Sequence, residues 1–382
     1  MLTKLGVVGA GSMGSGIAQL AAMAGSDVVL ADVNQTALDL AKAKLSEQLG
    51  KLLEKGKIDA SQLNAIFGRL HFTTELSAFA DREIVIEAIV EDLDVKNQLF
   101  ASIEAVVAPT TILASNTSSL SITAMAARLK KPDRFIGIHF FNPAPVMKLV
   151  EVVPAIQTDA DVVDACMKQM EYWQKIAVKA KDSPGFIVNK VARPYYGEAI
   201  RMMEEGVASK EEIDFAMTAA GFKMGPFALM DFIGHDVNFA VTQSVWQSFW
   251  YDDRYKPSFT QKKLVEAGYL GKKSGRGFYD YRSKETLVSN TEVDEILASY
   301  IFKRILVMLI NEAADTVQTG ICSEQDVELA MLYGTNYPKG LLQWAEEIGL
   351  EEVIYQLDGL YDRYHEARYR VSPYLRDRVS IL

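Results

Sequence analysis

The run Lys4-Leu-Gly-Val-Val-Gly-Ala-Gly-Ser-Met-Gly14 constrains this chain more than any other feature. A short apolar stretch breaks into glycines spaced Gly9-x-Gly11-x-x-Gly14, then continues into an apolar-periodic stretch, Ile17 to Ala24, closed by Gly25. That pattern reads as strand, tight turn and helix. The glycine spacing alone is a weak signal, because any tight turn uses glycine. Its context is specific: a second β-rich run, Asp27 to Ala31, ends at Asp32, 18 residues after Gly14.

In such a unit Gly9 permits the turn, Gly11 lets the backbone approach a pyrophosphate, and Gly14 lets helix and strand pack closely. The helix start at Ser12 and Met13 supplies amide donors and partial positive charge to the anion. Asp32 is positioned to accept from the adenosine ribose hydroxyls. A 2'-phosphate beside that carboxylate costs on the order of a few kcal/mol at an effective dielectric near 20, so NAD is expected rather than NADP.

Further apolar runs at Glu83 to Val90, Thr111 to Ala114, Phe135 to Phe141 and Lys148 to Val153 alternate with helical or loop segments. Parallel neighbours need crossover connections, so an α/β fold with a largely parallel, doubly wound sheet is expected. Asp182-Ser-Pro-Gly185 punctuates the chain, and beyond it the sequence turns to long amphipathic helices. Asn189 to Ala216 lines up with Lys303 to Ala330 at an offset of 114. After a one-residue slip Gly225 and Ile233-Gly234 match Gly340 and Ile348-Gly349. In both copies a serine, Ser209 or Ser323, stands three positions before an acid, Glu212 or Asp326, as at a capped helix start. The expected organisation is a Rossmann-type domain over 1–183, a helical domain over 184–282, and a linker (Arg282 to Glu292) with a second, degenerate helical copy within 283–382.

The 382 residues carry 40 Lys+Arg against 50 Asp+Glu, a net charge of -10. Nucleic acid and anionic membranes select a broad basic face, so neither partner is expected. No stretch approaches the ~18 apolar residues that span a bilayer. Cys166 and Cys322 are too few for a disulfide framework, and the strand pattern starting by Leu5 leaves no room for a signal peptide, so a cytoplasmic location is expected.

Four histidines limit the acid-base candidates. His71 lies in a polar stretch, His235 follows Ile233-Gly234, and His365 sits in a charged helix; each reads as a solvated or core residue. His139 differs, because it ends an apolar strand, where open α/β sheets place their ligands. Glu151 sits in the apolar run Leu-Val-Glu-Val-Val, where a carboxylate is costly to bury without a partner. His139 is the obvious one. A base of this kind supplies ~10² to 10⁴ in rate when a hydroxyl proton must leave.

Taken together, Gly9-Ala-Gly-Ser-Met-Gly14, Ile86-Glu-Ala-Ile-Val-Glu91, Ala114-Ser-Asn-Thr-Ser-Ser-Leu120, His139-Phe-Phe-Asn-Pro143, Lys148-Leu-Val-Glu151, Asp182-Ser-Pro-Gly-Phe-Ile-Val-Asn189, Gly225-Pro-Phe and Gly271-Lys-Lys-Ser-Gly-Arg-Gly-Phe-Tyr279 resemble the L-3-hydroxyacyl-CoA dehydrogenase family. The resemblance implies NAD-dependent oxidation of an L-3-hydroxyacyl-CoA to the 3-oxoacyl-CoA. It implies that His139 is the general base, oriented by Glu151, while Ser118 and Asn189 bond the substrate's C3 oxygen and the imidazole. It implies cofactor contacts at Glu91, Lys96, Asn116, Asn142 and Lys273. Lys55, among the lysines of the helix after Asp32, is then a candidate for the CoA phosphates, against a solvated helix face. No metal ligand set is assigned.

The family has Asn-Arg where this chain has Asn189-Lys190. Single-domain members pair through their helical domain, so the second copy is expected to occupy the partner's place. That permits a monomer and leaves homo-oligomers open. Two alternatives stand beside this reading: a lambda-crystallin or gulonate-type hydroxyacid dehydrogenase, and a non-catalytic NAD-binding protein.

Overall fold

The computed structural model describes residues 1–282 and 293–381, with the side chains of the last two of these left aside. The linker expected over Arg282 to Glu292 falls, apart from Arg282, outside the described residues. The chain divides into two compact units, Met1–Ser183 and Pro184–Leu382. No helix among the described residues is long and apolar enough to cross a membrane.

In the first unit the elements run β1 (Lys4–Val8), α1 (Ser12–Met23), β2 (Asp27–Ala31), α2 (Gln35–Glu54), α3 (Ala60–Gly68), β3 (Leu70–Thr73), β4 (Ile84–Glu87), α4 (Leu93–Glu104), β5 (Ile112–Ser115), α5 (Ile122–Ala126), β6 (Phe135–Phe140), β7 (Leu149–Pro154), α6 (Ala160–Tyr172) and β8 (Ile176–Lys179). They form one eight-stranded sheet in the order β3-β2-β1-β4-β5-β6-β7-β8. Strands β4 and β5 are buried at every residue, which is why they read as continuous apolar runs rather than alternating ones. Polar side chains start several of the helices: Asn34 accepts from Thr36 and Ala37 amides at α2, Asp59 and Gln62 form a capping box at α3, and Asp92 accepts from the Val95 amide at α4.

The sheet is largely parallel, as expected, and two of its features were not read from the sequence. Strands β3 and β8 were not anticipated; each has only four residues and carries exposed or half-exposed positions, so neither leaves a strong apolar signature. The pair β6 and β7 is antiparallel, with His139 opposite Glu151, while the other pairings are parallel.

The second unit contains α7 (Val188–Val191), α8 (Arg193–Glu204), α9 (Lys210–Ala219), α10 (Pro226–Ile233), α11 (His235–Ser248), α12 (Phe259–Glu266), α13 (Glu295–Gln318), α14 (Glu324–Gly334), α15 (Leu341–Ile348), α16 (Leu350–Tyr364) and α17 (Pro373–Ile381). Its two halves repeat one another closely. Helix α14 begins 114 residues after α9, and α15 and α16 begin 115 residues after α10 and α11. Asp214 accepts from the Phe227 and Ala228 amides at the start of α10, and Glu328 accepts from the Leu342 and Gln343 amides at the start of α15. Lys190 joins the halves: its buried ammonium bonds Glu312, Asp315 (3.2 Å) and Thr316 (2.9 Å), all on α13. The departure from the family's arginine therefore keeps a cation, here tied to the second half.

Candidate active site

The glycine turn has the geometry a dinucleotide needs. Gly9 has φ +102°, and a Cβ there would lie 2.5 Å from the Ala88 carbonyl oxygen; one on Gly14 would lie 1.8 Å from the Gly9 oxygen. Those two positions exclude side chains for packing reasons. At Gly11 a Cβ would meet nothing within 4 Å, so this glycine faces open space. Gly11 is also the N-cap of α1 and no side chain caps it, which leaves first-turn amides at Ser12 and Met13 to an outside acceptor. Asp32 follows β2 directly; its carboxylate accepts from the Ala10 (2.8 Å) and Asn34 (2.9 Å) amides, which fixes the acid beside the glycine turn. These residues fit NAD.

Two acids and a lysine lie along the carboxyl edge of the neighbouring strands. Glu87, fully buried, accepts from Lys96 (2.5 Å), Ser115 (2.6 Å) and the Ile89 amide (2.7 Å). Lys96 also reaches Glu91 at 3.3 Å. It is 1% exposed, and its ammonium is shared between these two acids. Desolvation would raise the Glu91 carboxyl, but the Thr117 hydroxyl, the Lys96 charge and the Ser119 hydroxyl outweigh it and hold the pKa below the usual value. The Ser118 amide donates to the same carboxylate (3.2 Å), so Ser118 belongs to this cluster. Asn116 accepts from the Phe140 amide (2.8 Å) and thereby pins the end of β6.

At that end stands His139, 7% exposed, across the antiparallel ladder from Glu151, 0% exposed. Their side chains meet at 2.7 Å between Nδ1 and Oε2. A carboxylate only accepts, so Nδ1 carries the proton and donates it, which makes Nε2 the basic nitrogen of the ring. The pairing follows from backbone register: two residues opposite one another on an antiparallel pair share a face. Asn142 is exposed just beyond, before a cis peptide to Pro143. The loop that follows is tied down by Lys175, whose ammonium donates to the Ala144 (2.6 Å) and Met147 (2.7 Å) carbonyls and which burial pushes down to about 8.

A cavity of about 930 Å³ opens in this unit among Ser12, Gly16, Lys44, Gln48, Lys57 and Lys148. Lys55, the residue singled out from the sequence, is the C-cap of α2 and does not line it; Lys44 and Lys57 do. In the helical unit, Asn189 lies half-buried on α7, and Lys273 pairs with Asp236 at 2.6 Å on the surface. Of the other histidines, His71 forms an exposed pair with Asp27 (2.8 Å), His235 is fully buried against Asp231 (2.7 Å), and His365 ends α16.

The family model described as 3-hydroxyacyl-CoA dehydrogenase, NAD binding domain, matches residues 4–183. The model described as 3-hydroxyacyl-CoA dehydrogenase, C-terminal domain, matches 185–281 and again 300–381. The chain belongs to the 3-hydroxyacyl-CoA dehydrogenase family.

This dehydrogenase is 39% identical to the 3-hydroxyadipyl-CoA dehydrogenase of Escherichia coli K12, over 98% of its own length and 97% of the relative's. It is 47% identical to a probable 3-hydroxybutyryl-CoA dehydrogenase of Deinococcus radiodurans, over 73% of its own length and all of the relative's. Its structure resembles the crystal structure of 3-hydroxybutyryl-CoA dehydrogenase from Escherichia coli K12 with a TM-score of 0.95 and 38% identity, covering 100% of this chain and 99% of that one. The activity is NAD-dependent 3-hydroxyacyl-CoA dehydrogenation in acyl-CoA metabolism, and the sugar-acid and non-catalytic alternatives are set aside.

Proposed function

We propose that His139 is the base that takes the C3 hydroxyl proton of an L-3-hydroxyacyl-CoA, and that Glu151 orients its ring and stabilises the imidazolium that results. The observation that carries this reading is the 2.7 Å bond between Nδ1 and a fully buried carboxylate at a matched register position. Bound NAD supplies the hydride acceptor for C3. In the reverse direction the His139 imidazolium returns the proton while donors around the C3 oxygen stabilise developing charge. Ser118 and Asn189 are the donors assigned that work.

The NAD-contacting set is Gly9, Gly11, Ser12, Met13, Gly14, Asp32, Glu91, Asn142 and Lys273, with Lys96 and Asn116 holding Glu91 and the strand end in place. For the CoA phosphates, the lysines of the 930 Å³ cavity, Lys44 and Lys57, are better candidates than Lys55. The second helical half can take the place of a partner subunit, which permits a monomer and leaves homo-oligomers open; light scattering on the eluted protein distinguishes them. The deciding experiment follows NADH consumption with acetoacetyl-CoA. Wild type turns over and His139→Ala loses about 10²- to 10⁴-fold in kcat. Equal turnover by the two proteins removes the base assignment.

A further inference from the structure

The two helical halves meet through a pair of buried networks that mirror one another. Lys190 and Arg304 stand 114 residues apart, as do Glu198 and Glu312, and Tyr255 and Tyr369. The Lys190 ammonium bonds Glu312, whose Oε1 also accepts from the Tyr255 hydroxyl (2.5 Å). In the counterpart, Arg304 bonds Glu198 (2.6 Å), whose Oε1 also accepts from the Tyr369 hydroxyl (2.8 Å). Each cation takes the glutamate of the other half and the tyrosine of its own, the reciprocity of a two-fold interface, here within one chain. All six side chains are at most 3% exposed. Arg254 and Asp315 (3.1 Å) extend the first network, and Glu205, 3.0 Å from Arg304, extends the second.

What the two networks hold differs. In the second half the cation sits within α13, an unbroken helix of 24 residues. The equivalent stretch of the first half, 181–204, is broken. Gly185 (φ +75°) and Phe186 (φ +47°) turn the chain through left-handed geometry, which a phenylalanine rarely adopts, and the four-residue α7 and then α8 follow. A single helical turn does not hold itself, because nucleation fixes more dihedrals than it gains bonds. Helix α7 opens on Ile187, which has no polar side chain to cap it. It packs on α13 and α14, and its one charged residue, Lys190, is its anchor into α13. The residue beside that anchor is Asn189, whose carbonyl Arg193 also holds at 2.7 Å. The residue beside Arg304 is Lys303.

We propose that Glu312 is a positioning residue for the dehydrogenase reaction: through Lys190 it fixes the short turn that presents Asn189, so the second half completes the framework of the active site. This rests on the proposed assignment of Asn189 to the C3 oxygen. Glu312 is buried and acts through the backbone shared by residues 189 and 190. Glu198 does the same service for Arg304, where no site residue stands alongside, so its loss falls on stability alone.

The test compares Glu312→Gln with Glu198→Gln, using acetoacetyl-CoA and NADH. Each variant removes one buried charge from equivalent networks, so both should lower the melting temperature. Glu312→Gln is expected to lose about 10- to 100-fold in kcat per folded molecule, the scale of a displaced substrate-orienting group. Its KM for NADH, and kcat in Glu198→Gln, should stay within about twofold of wild type. In an Asn189→Ala background the loss from Glu312→Gln should shrink to about twofold or less, because two links in one chain of action do not add. Should Glu312→Gln fold poorly, Tyr255→Phe against Tyr369→Phe makes the comparison more gently, with about a threefold loss in kcat expected of the first alone. Undiminished kcat in Glu312→Gln, equal losses within a pair, or losses that add in the Asn189→Ala background each overturn the proposal while leaving the Asn189 assignment intact. Full turnover by Asn189→Ala removes that assignment and the proposal with it, and leaves the His139 base to its own test.

Discussion

Among the described residues there are two buried histidine–carboxylate pairs with the same 2.7 Å separation, His139–Glu151 in the α/β unit and His235–Asp231 in the helical unit. Their surroundings differ. His235 and Asp231 are both 0% exposed, the second ring nitrogen of His235 faces the Gln261 amide at 3.4 Å, and the Phe278 ring lies against its edge. Asp231 also accepts from the Phe278 and Tyr279 amides, so it clamps the segment around Gly277 onto α10. His139 keeps 7% exposure at the carboxyl end of its strand, where a ligand enters an open sheet. The length of the imidazole–carboxylate bond therefore does not separate the proposed base from the packed histidine; exposure does.

Exchanging the two histidines for alanine is the strongest way to break this comparison. His139→Ala should lose about 10²- to 10⁴-fold in kcat with its melting temperature nearly unchanged. His235→Ala should do the reverse, keeping the turnover of the folded fraction while losing stability. Matching behaviour of the two variants in both assays would erase the distinction. Asp231→Ala leaves a clamp unmade and the histidine unpaired, and is expected to cost about 3 to 5 kcal/mol in urea unfolding. Glu151→Gln removes the charge but keeps the shape, and a loss in kcat on the order of 10² with little change in KM is expected; a rise in KM alone would point to binding instead.

A further effect concerns pH. Asp214 belongs to the same buried network, bonding the Tyr279 hydroxyl at 2.9 Å, and burial, with a contribution from Asp231, pushes its pKa up to about 6. A carboxyl whose folded pKa lies above its unfolded value binds more protons when folded. Its contribution is therefore full below about pH 4 and is lost as the pH rises to about 6. Relative to Asp214→Asn, wild type should lose about 3 kcal/mol across that window. A flat difference between the two unfolding curves would show that Asp214 titrates normally.

Much of the first unit was legible because its signals are local. Gly9, Gly11, Gly14 and Asp32 announce a turn by spacing, and Glu151 announces a partner by standing in an apolar run. The antiparallel turn between β6 and β7 was missed, although the connection from Phe141 to Lys148 is too short for a parallel crossover. Glu87 and Lys96 form a buried pair nine residues apart, and the rule applied to Glu151 would have flagged Glu87 in Ile84-Val-Ile-Glu87. Arg193, one residue ahead of Pro194 at the start of α8, reads in the sequence as a solvated charge, yet it is buried. It bonds the Thr242 hydroxyl and lies over the Tyr196 ring, and no single segment of sequence records that. Lys44, Lys55 and Lys57 look alike in the sequence, and which of them face the cavity depends on the rotation of α2 and on the turn that follows it.

Because strands six and seven run in opposite directions, the proposed proton acceptor and the carboxylate proposed to steer it are neighbours by backbone ladder alone. A shift of either strand by a single position would send its dyad member to the other side of the sheet, leaving no intermediate alignment in which the two still touch. Insertions in the joining loop are thus tolerable only if they preserve that alignment, and turnover becomes an all-or-none reporter of whether the hairpin has closed in frame.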